Sequence, residues 1–252
     1  MAAEAFPADP RAALPYDRAM APIVSGITLA EVAALVGDVA RANILSSLMD
    51  GRALTASELA WHSGVSAQTA SGHLARLSEA NLISMTRQGR HRYYRLASPE
   101  VAQAIEALMA VASFGPKRHR PVGPKDEALR RARTCYDHLA GRLGTALADA
   151  LTAHGHLVLS DSAGALTGTG RRFLCSFGID LEGGQDGKRA LCRTCLDWSE
   201  RRPHLAGRLG AALCTRMFDL GWVERIKDSR ALSVTQAGRD GLRSTFGIEI
   251  DA

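Results

Sequence analysis

No apolar run in this 252-residue chain approaches the roughly 18 consecutive residues that a membrane-spanning helix requires. No membrane partner is expected. The first 26 residues contain Pro7, Pro10 and Pro15 without a sustained apolar stretch, which excludes a secretory signal. Glu4, Asp9 and Asp17 exclude an acid-poor transit peptide. Residues 1–26 are therefore expected to form a loose leader on a cytoplasmic protein. Cysteine is scarce. There are five, and an odd number in such a compartment argues against a disulfide framework. Also missing are a Ser/His/Asp arrangement, a phosphate loop and a cofactor fingerprint; Gly168-x-Gly170 is too short and too late in its strand to cradle phosphate. Nothing points to an enzyme.

What is present suits one large or two ordinary domains, with 46% apolar residues, enough for folded cores. The net charge is +5 and the isoelectric point about 9.2, which suggests an anionic partner. The distribution of charge says more than the total. Between Thr28 and Ser113 there are seven Arg and seven Asp or Glu, yet Arg87, Arg90, Arg92 and Arg95 fall within nine residues. A local cationic projection on a neutral domain is the footprint of contact with a polyanion.

That projection ends the most informative stretch, Thr55 to Leu96. Ala56–His62 predicts a short helix closed by Gly64. Ser66 predicts an N-cap for a second helix, with Ala70, Leu74 and Leu77 as its apolar stripe. The opposite face carries Gln68, Thr69, Ser71, His73 and Arg76, groups able to reach base edges or phosphates. Leu82, Ile83 and Met85 begin a strand, Gly89 marks a hairpin turn, and His91–Leu96 returns.

Residues from about Ile27 to Ser113 resemble the ArsR-type winged-helix regulators. The helix pattern is carried by Ser66, Thr69, Ser71, His73, Leu74, Leu77, Ala80, Leu82 and Ile83, and the wing by Gly89, Arg90, Tyr93, Tyr94 and Leu96. The resemblance implies a winged helix-turn-helix that binds double-stranded DNA through Ser66, Gln68, Thr69, Ser71, His73 and Arg76, with Arg87, Arg90, Arg92 and Tyr94 from the wing. It also implies a homodimer, paired through the first and last helices of the domain, on an inverted-repeat operator. Those helices are expected after a Thr28–Glu31 capping box and after Ser98-Pro99. Metal-sensing members place a Cys-x-Cys pattern on the first helix of the helix-turn-helix. Glu58-Leu59-Ala60-Trp61-His62 has none, and the last helix has no ligand pair, so any sensor belongs to the second half.

A linker is expected at 114–126, from three prolines and four cationic residues without apolar periodicity. The region 127–252 contains an internal duplication. His138-Leu-Ala-Gly-Arg-Leu-Gly144 recurs as His204-Leu-Ala-Gly-Arg-Leu-Gly210, and Thr134-Cys135-Tyr136-Asp137 as Thr194-Cys195-Leu196-Asp197. The repeats span about 134–180 and 194–249. Each predicts a long helix, a strand pair and a short helix, a degenerate winged-helix-like unit without a polar reading helix. The chain as a whole is expected to be mainly α with small β-hairpins, an α+β fold.

Cys175 and Cys214 lie among apolar residues and are expected to be buried. Cys135, His138, Cys192, Cys195 and His204 are candidates for a sensor. At spacings of three, each pair shares a face if the segment is helical, and three thiols with one imidazole complete a tetrahedral set for zinc or another thiophilic metal or metalloid. Asp137 and Asp197 could orient the imidazoles. The same cysteines could instead oxidise, or merely pack the duplicated helices. The reading is a sequence-specific DNA-binding transcriptional regulator, a dimeric repressor released by a metal, an oxidant or a small molecule. The alternative is an interaction module whose winged helix no longer binds DNA.

Overall fold

A computed structural model of the protein describes residues 25–113, 124–160, 163–181 and 189–250. Residues 1–24 of the expected leader, residues 114–123 of the expected linker and the hairpin tip Asp161–Ser162 lie outside the described residues.

The chain opens with α1 (Gly26–Val36) and α2 (Val39–Ser47), and a 3-10 turn, Leu48–Asp50, closes on Gly51. Ser25 rather than Thr28 caps α1, its Oγ accepting from the Thr28 amide at 3.2 Å. The reciprocal capping box falls instead on Thr55 and Glu58, at the start of α3 (Ala56–Ser63). Gly64, at φ +69°, ends α3 in the left-handed region that glycine adopts without steric cost. Ser66 then caps α4 (Ala67–Glu79), and Ala70, Leu74 and Leu77 are its buried stripe. The wing is β2 (Ile83–Gln88) and β3 (His91–Leu96), in register from Ile83↔Leu96 to Gln88↔His91. A two-residue strand, β1 (Leu54–Thr55), adds to β3; it is too short to leave a periodic signal. α5 (Pro99–Ser113) follows. Ile44, Leu45, Leu48, Leu59, Leu74, Leu77 and Leu96 form the core. Each such side chain stabilises the fold by roughly 1.5–3 kcal/mol.

Beyond α6 (Pro124–Arg131) the duplication becomes visible in three dimensions. The first copy is β4 (Arg133–Cys135), β5 (His138–Ala140), α7 (Gly141–Ala153), β6 (Leu157–Leu159), β7 (Gly164–Leu166) and α8 (Gly168–Ser176). The second is β8 (Arg193–Leu196), β9 (Pro203–Ala206), α9 (Gly207–Asp219), β10 (Val223–Arg225), β11 (Leu232–Val234) and α10 (Gln236–Phe246). The long helix, strand pair and short helix are as expected in both.

The cysteine segments are not. Thr134–Asp137 and Thr194–Asp197 were expected on the long helices, but β4–β5 and β8–β9 are antiparallel hairpins. The reason is Gly141 and Gly207, at φ +75° and +78°, a conformation that interrupts any helix running through them. Each helix therefore starts at its glycine, and what precedes it pairs as strands.

The copies pack crosswise, α7 against β9 and α9 against β5. Leu143, Leu147 and Leu151 of one copy and Leu209, Leu213 and Met217 of the other share one core. The N-terminal core does not stop at the expected linker. Cys135 and Ala140 belong to it, with Tyr136 and Cys195 packed at its edge. The amide of Tyr136 donates to the Met49 carbonyl at 2.5 Å, which ties the β4–β5 turn to the 3-10 turn after α2.

Candidate DNA-binding face and candidate metal centre

Ser66, Gln68, Thr69, Ser71 and Arg76 are exposed along one side of α4. Gly72, which the sequence reading passed over, lies on that side with open space around it, so a groove wall could approach the backbone closely. Arg87, Arg90 and Arg92 are exposed toward the wing tip. Two expected contacts turn away. Tyr94 is 9% exposed and packs in the core, because the two-residue period of β3 places it on the inward face with Leu96. His73 is half-buried, its Nδ1 3.4 Å from Arg41 Nη1; Arg41 in turn donates to the carbonyls of Leu35 and Ala34. His73 therefore seats α4 on the first two helices.

The second site is built by the two hairpins. Their registers are the same: Arg133↔Ala140, Thr134↔Leu139 and Cys135↔His138 in one, Arg193↔Ala206, Thr194↔Leu205 and Cys195↔His204 in the other. A cysteine thus stands directly across from a histidine twice, close enough for the two side chains to meet. The crosswise packing brings the pairs together. The rings of His138 and His204 lie 5.1 Å apart, and one ligand atom from each of Cys135, His138, Cys195 and His204 falls within 4.8 Å of the others. Cys192 is not among them. It precedes β8 and packs where a side chain on Gly164 would sit. The three-thiol set expected from the sequence is corrected to two thiols and two imidazoles.

Two glycines make this approach possible. A Cβ on Gly144 would overlap the Leu139 carbonyl and lie 3.4 Å from the Cβ of His204; one on Gly210 would overlap the Leu205 carbonyl and lie 3.1 Å from the Cβ of His138. The helix of each copy is notched for the histidine of the other. Gly210→Ala is therefore expected to cost about 2–3 kcal/mol through overpacking. For a chain of this size that lowers the thermal midpoint by roughly 5–10 °C. An unchanged melt would show that the hairpins do not pack this tightly.

A carboxylate stands beside each ring. Asp137 Oδ1 lies 3.2 Å from His138 Nδ1, and Asp197 Oδ2 lies 3.5 Å from His204 Nδ1. Asp137 is also bound by both terminal nitrogens of Arg189. Asp197 is fully buried and accepts from the Gly141 amide at 2.6 Å, from the Ser199 amide and hydroxyl, and from the Glu200 amide. Arg133 pairs with it at 2.9 Å. Burial opposes the charge of Asp197, but Arg133, Gly141 and Ser199 outweigh it and hold its pKa well below the usual carboxylate range. His204 is held well below the ordinary imidazole value, first by burial and then by the neighbouring His138. That shift favours the neutral ring, the form that ligates a metal. The Cys135 thiol is pushed well up, first by its hydrogen bond with Cys195 and then by burial. His138 Nε2 and both nitrogens of His204 make no hydrogen bond among the described residues. Buried nitrogens without partners are costly, and a soft cation would satisfy them. The cluster borders a cleft of about 1080 Å³ between α5 and the hairpins, lined in part by Glu106, Tyr136 and Arg193.

Of the remaining cysteines, Cys214 is buried as expected, its thiol pushed up to about 12 by burial. Cys175, expected inside, is exposed. Trp61 is exposed on α3.

A reading helix projecting beside a cationic two-stranded wing defines a winged helix-turn-helix DNA-binding protein. The sequence pattern described as bacterial regulatory protein, arsR family, matches residues 38–85. A Bacillus subtilis (strain 168) protein described as an uncharacterized HTH-type transcriptional regulator, YdfF, is 41% identical over 222 residues, 88% of this chain and 98% of that protein. That length takes in both halves. The HTH-type transcriptional regulator KmtR of Mycobacterium tuberculosis is 33% identical over 108 residues, 41% of this chain and 82% of its own. Among solved structures, the homodimeric winged helix-turn-helix domain of Mb0332 from Mycobacterium bovis is 27% identical, covering 38% of this chain and 87% of that one at a TM-score of 0.34. The chain belongs to the ArsR family of transcriptional regulators. No single helix among the described residues is long and apolar enough to cross a membrane.

Proposed function

We propose that the protein is a dimeric repressor of an inverted-repeat operator, released when a thiophilic divalent ion such as zinc is held by Cys135, His138, Cys195 and His204. The observation that carries the reading is the convergence of two thiols and two imidazoles within 4.8 Å at the seam between the duplicated half and the winged helix. Two sulfurs and two nitrogens are a complete tetrahedral set, and carboxylates behind both imidazoles are the usual outer partners of such ligands. The set is supplied by four strands from two repeats, so binding ties the repeats together.

Dimerisation is supported by α1 and α5. α1 buries none of its residues, with Ile27 at 74% and Leu29 at 65% exposure, and α5 presents Leu108 at 50%. Bare apolar helix faces on a folded protein mark an interface. A second copy covering them places two α4 helices on one face of the duplex.

The test is binding of the full chain to the promoter fragment beside its own gene, followed across a salt series with and without zinc. Expected are a steep salt dependence and weaker binding with zinc. Arg90→Ala is expected to weaken binding on every sequence and to reduce the salt slope by about one counterion. If that substitution relaxes a single base preference instead, Arg90 reads sequence rather than phosphate. If zinc leaves affinity unchanged while peroxide weakens it and joins Cys135 to Cys195, the sensor is a thiol pair and not a metal site.

A further inference from the structure

Arg133 is fully buried, and its guanidinium lies between two acids from different parts of the molecule. Nη2 is 2.9 Å from Asp197, the partner of His204, and 3.8 Å from Glu106, which comes from the middle of α5. Nη1 donates to the Leu129 carbonyl and to Ser199 Oγ at 3.1 Å, and the Trp198 ring stacks 4.5 Å from the guanidinium carbon. The two acids are served unequally. Asp197 takes hydrogen bonds from Gly141, Ser199 and Glu200. Glu106 is 2% exposed, and neither of its carboxylate oxygens accepts a hydrogen bond among the described residues.

A buried carboxylate without hydrogen bonds is costly, and breaking or making one charge-assisted bond to it is worth more than at a surface. Glu106 is therefore the member of this network with most to gain from a small movement of Arg133. The movement has a source. His204 engaged as a ligand through its other ring nitrogen becomes a stronger donor toward Asp197, and the 3.5 Å approach of its Nδ1 to that carboxylate closes into a hydrogen bond. Asp197 then has less to offer Arg133, and the guanidinium is freed toward Glu106. Glu106 sits on the side of α5 turned to the duplicated half, while Leu108 lies on the exposed face assigned to the second copy. A shift of α5 toward Arg133 acts directly on the dimer interface and hence on the spacing of the two α4 helices.

Resting on the repressor reading above, we propose that Glu106 is the positioning residue that transmits occupancy of the Cys135, His138, Cys195 and His204 site to α5, through Arg133 and Asp197. It is not itself a ligand. The proposal requires that metal binding and its effect on DNA be separable by one substitution.

The experiment uses the full chain, cobalt(II) as the spectroscopic probe, and the promoter fragment beside its own gene. In the wild type, cobalt is expected to develop thiolate charge-transfer and tetrahedral d–d absorption and to weaken DNA binding by about tenfold or more. Glu106→Gln is expected to keep the cobalt spectrum and to keep cobalt affinity within about threefold, while its DNA affinity changes by less than about twofold on adding cobalt. Glu106→Asp keeps the charge but shortens its reach, so an intermediate response is expected; it carries the test if the glutamine variant melts early by circular dichroism. Either folded variant responding to cobalt as the wild type does overturns the relay through Glu106. So does loss of the cobalt spectrum in both variants, which would make Glu106 a ligand. A wild type that develops no cobalt spectrum overturns the metal reading itself, and the proposal with it.

Discussion

Cys195→Ser is expected to remove roughly half of the thiolate-to-cobalt charge-transfer intensity and to weaken cobalt binding by more than the ~10–100-fold that loss of an outer partner costs. Cys135→Ser is expected to behave alike, because each supplies one of the two sulfurs in the cluster. Two further substitutions make the result specific. Cys214 lies in the duplicated core with a thiol that burial keeps protonated, so Cys214→Ser should bind cobalt as the wild type does. Cys192→Ser decides between two and three sulfurs. Its thiol is held against Gly164 and outside the cluster, so its spectrum should also be unchanged. Equal losses from Cys192→Ser and Cys195→Ser would restore the three-thiol set that the Cys-x-x-Cys spacing suggests. Unchanged spectra from all four would sink the metal site.

Leu108→Glu, and separately Leu29→Glu, are expected to convert the dimer to a monomer and to lower operator affinity by about a thousandfold, toward the level of non-specific binding. The physical argument is burial. α1 is apolar along much of its length, yet none of its residues is buried within one copy. Its exposed Leu29, like Leu108 of α5, contributes stability only if a second copy covers it. A carboxylate placed there must be desolvated on association, which costs several kcal/mol. Val158→Glu, on β6 in the duplicated half, is the comparison, since Val158 is equally exposed but far from these helices in the chain. Sedimentation and operator titration read both effects. A Leu108→Glu protein that remains dimeric would place the interface elsewhere. A monomeric one that binds the operator as the wild type does would show that two copies are not needed.

Much of this was legible because it rests on local rules. Ser66 caps α4 and Gly64 ends α3 through their own side chains and dihedrals. The wing register follows from alternation around Gly89. The duplication was visible as repeated text, and with it the candidates Cys135, His138, Cys195 and His204. Tyr94 shows how a local rule can be misapplied. The residue matches the wing pattern, but its parity with Leu96 puts it inside, and that parity was in the sequence all along.

The sequence by itself determined the winged helix-turn-helix, the cationic wing tip and the existence of two related halves, because caps, periods and repeats act over a few residues. Only the tertiary structure decided that the cysteine segments pair as hairpins, that two imidazoles and two sulfurs meet, and that Cys192 is left out. It alone brought Glu106 of α5 to Arg133. A helix spacing of three and a hairpin spacing of three look identical in one dimension. The difference lies in Gly141 and Gly207 taking positive φ, and in Gly144 and Gly210 each making room for a histidine of the other repeat, far away in the chain.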